Sequence, residues 1–287
     1  LKIIAWNIAR RAEAWRRLLD SDVDIALLQE AAQPPPDVAA RLDIDPAPWR
    51  TAGGGINRPW RTAVVRLSRE AEVEWIEPKA LEHAGPGELA VSRLGTLSVA
   101  IATPRVGKSF VVASMYATWE KPHSSTGGRW IYADGSVHRL ISDLSALIGQ
   151  QTGHRLLAAG DLNILHGYGE HGSPYWASRY ATVFARMSAL GLEFVGPQAP
   201  AGRQADPWPS ELPLVSSNVP TYHTSRQNPA TASRQLDFVF ASQALAPDVR
   251  VTAVNELDEW GPSDHCRVRI DLFDSTDGAT AAQHIVC

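Results

Sequence analysis

Apolar runs along this chain repeatedly end on a polar residue. Residues 1–6 (LKIIAW) lead into Asn7, 23–28 (VDIALL) into Gln29 and Glu30, and 110–116 (FVVASMY) closes on a tyrosine hydroxyl. Residues 156–159 (LLAA) lead into Gly160, Asp161, Leu162 and Asn163. Short apolar runs of this kind, bounded by turn residues, read as strands buried on both faces. Gly160 lets the backbone turn sharply where its strand ends. Asp161 and Asn163, two apart, then point the same way from the sheet edge, and they are also what an Asx turn would use there. Further strands are predicted over 62–67, 73–76, 97–102, 249–254 and 266–273, and 221–224 (TYHT) with 235–241 (QLDFVFA) reads as a pair of strands. Helical spacing covers 12–19 (Ala12, Trp15, Leu18, Leu19), 137–148 (Val137, Leu140, Ile141, Leu144, Leu147, Ile148) and 176–190, ended by Gly191. Residues 31–50, 117–135 and 199–218 read as irregular. A loop as long as 117–135 inside a compact domain is usually functional or disordered.

Composition narrows the class without naming a chemistry. The chain has 287 residues, 44% hydrophobic and 20% charged, which suits one large α/β domain or two small ones. No linker or internal repeat divides it. The reading is one catalytic domain over 1–274 with a C-terminal tail over 275–287. The formal net charge is −4, so a global basic footprint for nucleic acid is absent, while a local one stays open. Only four of the 27 basic residues are Lys. No apolar run approaches the roughly 18 residues of a membrane span, and no signal peptide is visible. Cys266 and Cys287 offer no disulfide framework. A reducing, cytoplasmic compartment is expected, with a leader removed ahead of Leu1 left open.

Polar groups thus stand at five strand ends: Asn7, Glu30, Tyr116, Asp161 with Asn163, and Asp264 with His265. Asp237 falls inside a predicted strand, where an unpaired carboxylate costs several kcal/mol, and His265 is its natural partner. A carboxylate on one imidazole nitrogen fixes the tautomer and favours the charged ring, which can then face a phosphate. Glu30 and Asp264 offer the hard oxygen donors that Mg²⁺ or Mn²⁺ prefer. Asp161 can orient or deprotonate a water. This is the inventory for metal-assisted phosphodiester hydrolysis.

The ordered motifs AWN, LLQE, SMY, GDLN, LDFVF and SDH, running from residue 6 to residue 265, resemble the endonuclease/exonuclease/phosphatase superfamily, the group of exonuclease III, DNase I, neutral sphingomyelinase and the inositol polyphosphate 5-phosphatases. Each motif alone is weak, and six in the right order are strong. The resemblance implies a four-layer αββα sandwich of α+β (α/β) class, with two mixed β-sheets packed face to face and helices outside. It implies Glu30 as principal metal ligand with Asn7 and Asp264 close by, and Asp161 as the residue that activates water. Asn163 and Tyr116 would contact the scissile phosphate. His265 would bind or protonate a phosphate oxygen, oriented by Asp237.

Within the superfamily, LDFVF resembles the nuclease branches, and the Trp-Cys-Asp-Arg pattern of the 5-phosphatases is absent. The abasic-site enzymes resemble the chain at Tyr116, Asp161 and SDHC. They carry an acidic residue where Ala9 stands and an aromatic, lining the abasic pocket, where Arg234 stands. A dedicated abasic-site endonuclease is therefore not expected. Arg58, Trp60 and Arg61 at one tip, Arg129 and Trp130 in the long loop, and Arg234 are candidate substrate contacts, since guanidinium groups neutralise phosphates and rings stack on bases. His123, His166 and His171 are read as solvated rather than as zinc ligands, because no supporting Cys or His spacing exists. The expectation is a Mg²⁺- or Mn²⁺-dependent phosphodiesterase, a nuclease acting on DNA or RNA. The alternative is a phosphatase or phospholipase acting on a small or lipid phosphoester, which the acidic net charge suits better.

Overall fold

The computed structural model describes residues 1–51, 58–120, 132–148, 153–224 and 226–273. The expected C-terminal tail, Arg129 and Trp130 lie outside the described residues, as do His123, Cys287 and most of the long loop.

Two βαβ units set the architecture. In the first, β1 (Lys2–Asn7), α1 (Ala12–Leu19) and β2 (Ile25–Ala32) place two strands parallel, Asn7 beside Gln29. The chain then passes α2 (Pro36–Ala39), β3 (Asp43–Ile44), β4 (Trp60–Arg66), β5 (Ala71–Ile76), the short parallel pair β6 (Lys79–Ala80) and β7 (Ala90–Val91), and β8 (Leu97–Pro104). The second unit is β9 (Phe110–Tyr116), α3 (Asp134–Ile148) and β10 (Leu156–Asp161), again parallel, with Asp161 beside Tyr116. After α4 (Pro174–Ala189) come β11 (Leu192–Gly196), β12 (Asp237–Ser242), β13 (Val249–Val254) and β14 (Arg267–Leu272). One six-stranded sheet has the order β13-β14-β1-β2-β4-β3 and the other β11-β12-β10-β9-β8-β5. Every pairing in either sheet other than β1–β2 and β9–β10 is antiparallel, so both sheets are mixed.

Alternation along the strands builds the layers. Ile3, Ala5, Ile25, Leu27 and Val64 from one sheet meet Val112, Leu157, Ala159 and Val239 from the other in one buried cluster. Their neighbours Ile4, Trp6, Ala26, Leu28, Ala63 and Val65 face outward onto Ala14, Trp15 and Leu18 of α1. Leu156 and Ala158 face outward onto Val137, Leu140 and Leu144 of α3 and Val183 and Met187 of α4. Period-two alternation on both sheets therefore produces helix, sheet, sheet and helix in that order, the expected four-layer sandwich.

Several local expectations change. The second strand continues past Leu28 through Gln29 and Glu30 to Ala32, with its register against β4 shifted between Leu28 and Ala31. That irregularity holds Glu30 at φ +44°. The segment read as irregular over 31–50 contains α2 and β3. Residues 221–224 do not pair as a strand with 235–241. Tyr222 makes only isolated bridges to Arg234 and His265, while β12 lies between β10 and β11. The reason is Thr221, whose Oγ1 accepts the N–H groups of both Leu236 and Asp237 and so replaces a backbone ladder there. Asp237 is consequently the first residue of β12 rather than an interior one. Among the described residues, no helix is long and apolar enough to cross a membrane.

Candidate active site

The parallel strands β1, β2, β9 and β10 all end at one edge of the sandwich. Asn7 continues the inward parity of Ile3 and Ala5, and Asp161 that of Leu157 and Ala159. Both side chains therefore emerge between the sheets, as do Tyr116, Gln29 and Asp237 on their own strands. Register completes the gathering, because Asp161 stands between Tyr116 on β9 and Asp237 on β12. Gly160 permits this approach. Its φ is +153°, and a Cβ there would lie 1.9 Å from the Met115 carbonyl oxygen.

Asp161 is 1% exposed and held from three directions. Its Oδ2 accepts the Asn7 amide at 2.9 Å and the Asn163 amide at 3.2 Å. Its Oδ1 accepts the Asn163 backbone N–H at 2.9 Å, so the Asx turn and the expected Asp161–Asn163 side-chain pairing coexist. Burial raises its pKa to about 7, against the pull of His265 and the Asn7 hydrogen bond. His265 Nδ1 lies 2.8 Å from Asp237 Oδ2, and its Nε2 lies 3.8 Å from Asp161 Oδ2. Burial alone would lower the imidazole pKa, but Asp237 and then Asp161 outweigh it and raise the value to about 10. The expected Asp237–His265 pair is thus formed, with Nδ1 carrying a proton toward the carboxylate. Backbone contacts clamp this arrangement: Trp6 Nε1 donates to the His265 carbonyl, and the Ser263 hydroxyl donates to the Asn7 carbonyl.

Glu30 stands beside this buried group. It accepts from the Tyr116 hydroxyl at 3.0 Å, and Arg10 Nε approaches it at 3.5 Å. Glu30, Asp161, Asn163, Asp264 and His265 open on one cavity of about 450 Å³. Of the five non-glycine residues with left-handed φ among the described residues, four (Ala9, Arg10, Glu30 and Asn163) line that cavity. Such strain persists only where surroundings over-determine it, and it clusters at functional sites. The oxygen-rich donor set suits a hard divalent ion. Asp161, Asp237 and His265 also offer ligand atoms all within 4.8 Å of one another, a buried group able to hold a metal ion. Asn7 presents its amide nitrogen to Asp161, while its Oδ1 accepts the Ala9 N–H at 3.0 Å.

The basic residues divide. Trp60 stands edge-on to Tyr116, ring centroids 5.1 Å apart, and the Arg58 guanidinium lies 4.8 Å over the Trp60 ring. Arg61 does not join them. It is 1% exposed, 2.6 Å from Asp45, and stacked 4.1 Å over Trp49. Strand parity is the reason: Trp60 shares the inward face of β4 with Val64, and Arg61 shares the outer face with Ala63 and Val65. Arg234 lines the cavity but is paired with Glu170 at 2.9 Å. His166 is not solvated as expected. It packs 4.4 Å from Phe184, and burial lowers its pKa.

Sequence reasoning assigned no role to Arg10, Ser263, Glu170 or Tyr222, whose ring lies 4.9 Å from His265. Ser263 stood inside a quoted motif. The other three acquire their places only through tertiary contacts.

The fold and this edge define a DNase I-like sandwich with a buried Asp–His–Asp group beside a cavity that Glu30 and Asp264 line. The family model described as the endonuclease/exonuclease/phosphatase family matches residues 4–265, and the chain belongs to that family, whose members are phosphoester hydrolases. No curated protein matches the chain by sequence. Among solved structures it is similar to an AP endonuclease from Archaeoglobus fulgidus (TM-score 0.58, 16% identity, 96% of this chain and 100% of that one). It is similar to the AP endonuclease LMAP from Leishmania major (0.58, 14%, 95% and 87%). It is also similar to the 3′-5′ exonuclease NExo from Neisseria meningitidis (0.54, 19%, 95% and 99%). NExo is also described as a 3′ phosphatase bound to a product DNA hairpin. These likenesses establish the fold.

Proposed function

We propose that the chain is a divalent-metal-dependent phosphodiesterase that cleaves nucleic acid. The observation that carries this reading is the Asp161 carboxylate, buried, fixed by Asn7 and Asn163, and raised to about 7 beside the charged His265. A base with a pKa near the working pH combines the right protonation state with useful driving force. In this reading Asp161 takes a proton from the attacking water, whose oxygen bonds to phosphorus as the bridging P–O bond breaks and the leaving alkoxide takes a proton from solvent. The two amides on its Oδ2 hold the carboxylate in one orientation. His265, charged and steadied by Asp237, turns Nε2 to a non-bridging phosphate oxygen, where it stabilises charge as the transition state forms. Tyr116, its hydroxyl now on Glu30, offers a second donor beside that carboxylate. Glu30 and Asp264, with the Asn7 amide oxygen, would hold Mg²⁺ or Mn²⁺, which when bound polarises the phosphate and helps neutralise it.

The preference for nucleic acid draws support from the Arg58–Trp60–Tyr116 rim and from the NExo structure with its product DNA hairpin. The net charge of −4 favours the second reading, a small or lipid phosphoester. The test is hydrolysis of single- and double-stranded DNA, RNA, an abasic duplex, bis-p-nitrophenyl phosphate and an inositide, with Mg²⁺, Mn²⁺ or EDTA. Metal-dependent cutting of a polynucleotide, reduced at least 100-fold in Asp161→Ala, is expected. Turnover of the small esters alone would transfer the protein to the second reading, and near-parental rates for both Asp161→Ala and His265→Ala would remove both.

A further inference from the structure

Two guanidinium groups near Tyr116, whose hydroxyl donates to Glu30 in the cavity wall, have no acidic partner within ion-pair distance among the described residues. Arg58 precedes β4 and lies over Trp60, itself edge-on to Tyr116. Arg93 lies in the turn before β8, and its Nη1 donates to Thr118 Oγ1 at 3.1 Å, two residues beyond Tyr116. The turn that carries Arg93 is docked on the strand that carries Trp60. Thr62 donates its N–H to the Gly95 carbonyl at 3.0 Å. Thr51, which bridges to Arg58, presses on Gly95 so closely that a Cβ there would lie 2.7 Å from the Thr51 methyl carbon. Both arginines are therefore carried by backbone fixed to the same rim.

The nearby charges are already committed. Glu120 is paired with Arg139, and Glu30 accepts from Tyr116 with Arg10 close by. The adjoining sequences 52–57 and 121–131 contain no Asp or Glu. Burial lowers the pKa of both guanidinium groups, and the charge of Arg58 lowers that of Arg93 further. Partly desolvated like charges without a carboxylate are costly on their own. Planar guanidinium forks match phosphate oxygens bidentately. Across the cavity, by contrast, Arg234 is paired with Glu170, so it offers a strand less net charge than Arg58 and Arg93 do.

We infer that Arg58 and Arg93 form a subsite for the phosphate adjacent to the scissile one on a polynucleotide strand, which enters over the Trp60–Tyr116 rim. This deepens the nuclease reading and rests on it. It also adds Arg93, in a turn remote from every motif, to the residues that select the substrate.

The test compares the parent with Arg58→Gln and Arg93→Gln on bis-p-nitrophenyl phosphate, a dinucleotide with one phosphodiester, a trinucleotide with two, and a longer single strand. The glutamine at 93 keeps a donor for Thr118. The parent should gain in kcat/KM when a second phosphodiester is added. Each variant should lose about tenfold more on the trinucleotide than on bis-p-nitrophenyl phosphate. Each should also lower the slope of log(kcat/KM) against log salt by about one, the loss of one phosphate contact. Parental length and salt dependence in both variants would overturn the inference. So would equal losses on all substrates, which would place the arginines at the scissile phosphate. If 1,3-propanediol bisphosphate inhibited the parent far better than the variants while the gain with strand length stayed equal, the ligand would be a small bisphosphate and the polynucleotide assignment would fall. A parent that turns over bis-p-nitrophenyl phosphate without any gain from length would keep the hydrolase and lose the subsite. A parent with no Asp161-dependent turnover of any substrate would remove the nuclease reading itself.

Discussion

Replacing Asp45 by Asn should destabilise the protein strongly without changing its substrate preference. Asp45 and Arg61 are 7% and 1% exposed. Their Oδ1 and Nη1 atoms are 2.6 Å apart. Arg61 also donates to the carbonyls of Thr62 and Asp45 itself, and stacks on Trp49. The second oxygen of Asp45 accepts the Val64 N–H at 2.8 Å, so the pair ties the segment before β4 to the strand. Removing one partner of a buried pair leaves an uncompensated charge and costs about 3–5 kcal/mol. At roughly 2–4 °C per kcal/mol for a chain of this size, a loss of about 4 kcal/mol lowers Tm by about 8–16 °C. Arg61→Met should also destabilise, and the double variant Asp45→Asn/Arg61→Met should recover more than half of the Asp45→Asn loss, because no charge stays buried. Thermal and urea unfolding of the four proteins measure the cycle, and kcat/KM on a single strand at a temperature where all are folded measures function. If Arg61→Met kept parental stability but weakened strand cleavage, the brace would be wrong and Arg61 would be a substrate contact.

Three further outcomes follow from the same geometry. His265 is raised to about 10 in the fold against about 6.5 in an unfolded chain. Its contribution to stability is therefore fully present below about pH 6.5 and disappears as pH rises through about 10. Asp237→Asn should pull the imidazole titration downward and shrink that alkaline loss. Nitrogen NMR of the metal-free protein and denaturation midpoints against pH read both effects, and a parental ring titrating near 6.5 would refute them. Gly160→Ala should cost at least ~3 kcal/mol, since the new carbon meets backbone at 1.9 Å and φ is +153°; Tm loss and insolubility are the readouts, and a well-folded variant would refute the tight approach of β10 to β9. Tyr116→Phe removes a hydrogen bond to a charged group, worth about 1.5–3 kcal/mol. It should lower Tm by about 3–12 °C at the same conversion and lower kcat/KM roughly tenfold or more at a temperature where the variant is folded, and unaltered kinetics would discharge Tyr116 from the site.

Much of the site was legible because it is written in strand ends. Asn7, Tyr116 and Asp161 each close a short apolar run, and a period of two then dictates that they share the inward face with the residues two and four before them. Asp237 needed a partner on energetic grounds alone, and His265 supplies it at 2.8 Å. The failures have equally definite causes. Arg58, Trp60 and Arg61 look like one basic tip in sequence, but β4 begins at Trp60, so adjacent side chains leave on opposite faces. The partner that buries Arg61, Asp45, lies 16 residues upstream in a segment with no regular period. Residues 221–224 look like a strand because they are β-branched and aromatic. Their edge is instead consumed by the Thr221 hydroxyl, a side-chain contact that no periodicity encodes.

Arg93 shows the same limit for the proposed subsite. Nothing in its neighbourhood, LAVSRLGTL, marks it as special. Its place at the rim depends on Gly95 lodging against Thr51 and on Thr62 donating to the Gly95 carbonyl, two contacts between segments that only sheet stacking brings together. The same stacking explains the division of charge around the cavity. The acidic and imidazole groups come from the carboxyl ends of β2 and β10 and from the amino ends of β12 and β14, where both sheets contribute inward-facing residues and burial is deepest. The free arginines come from the segments flanking β4 and β8, near the side of the sandwich, where burial is partial and a guanidinium can stay charged. In the proposed reading, a phosphodiester at Asp161 and His265 would have the positive charge of Arg58 and Arg93 toward β4 and the paired Arg234 and Glu170 on the other side. That asymmetry would give a bound strand a direction across the site, which neither the strand-end motifs nor the net charge of −4 contains.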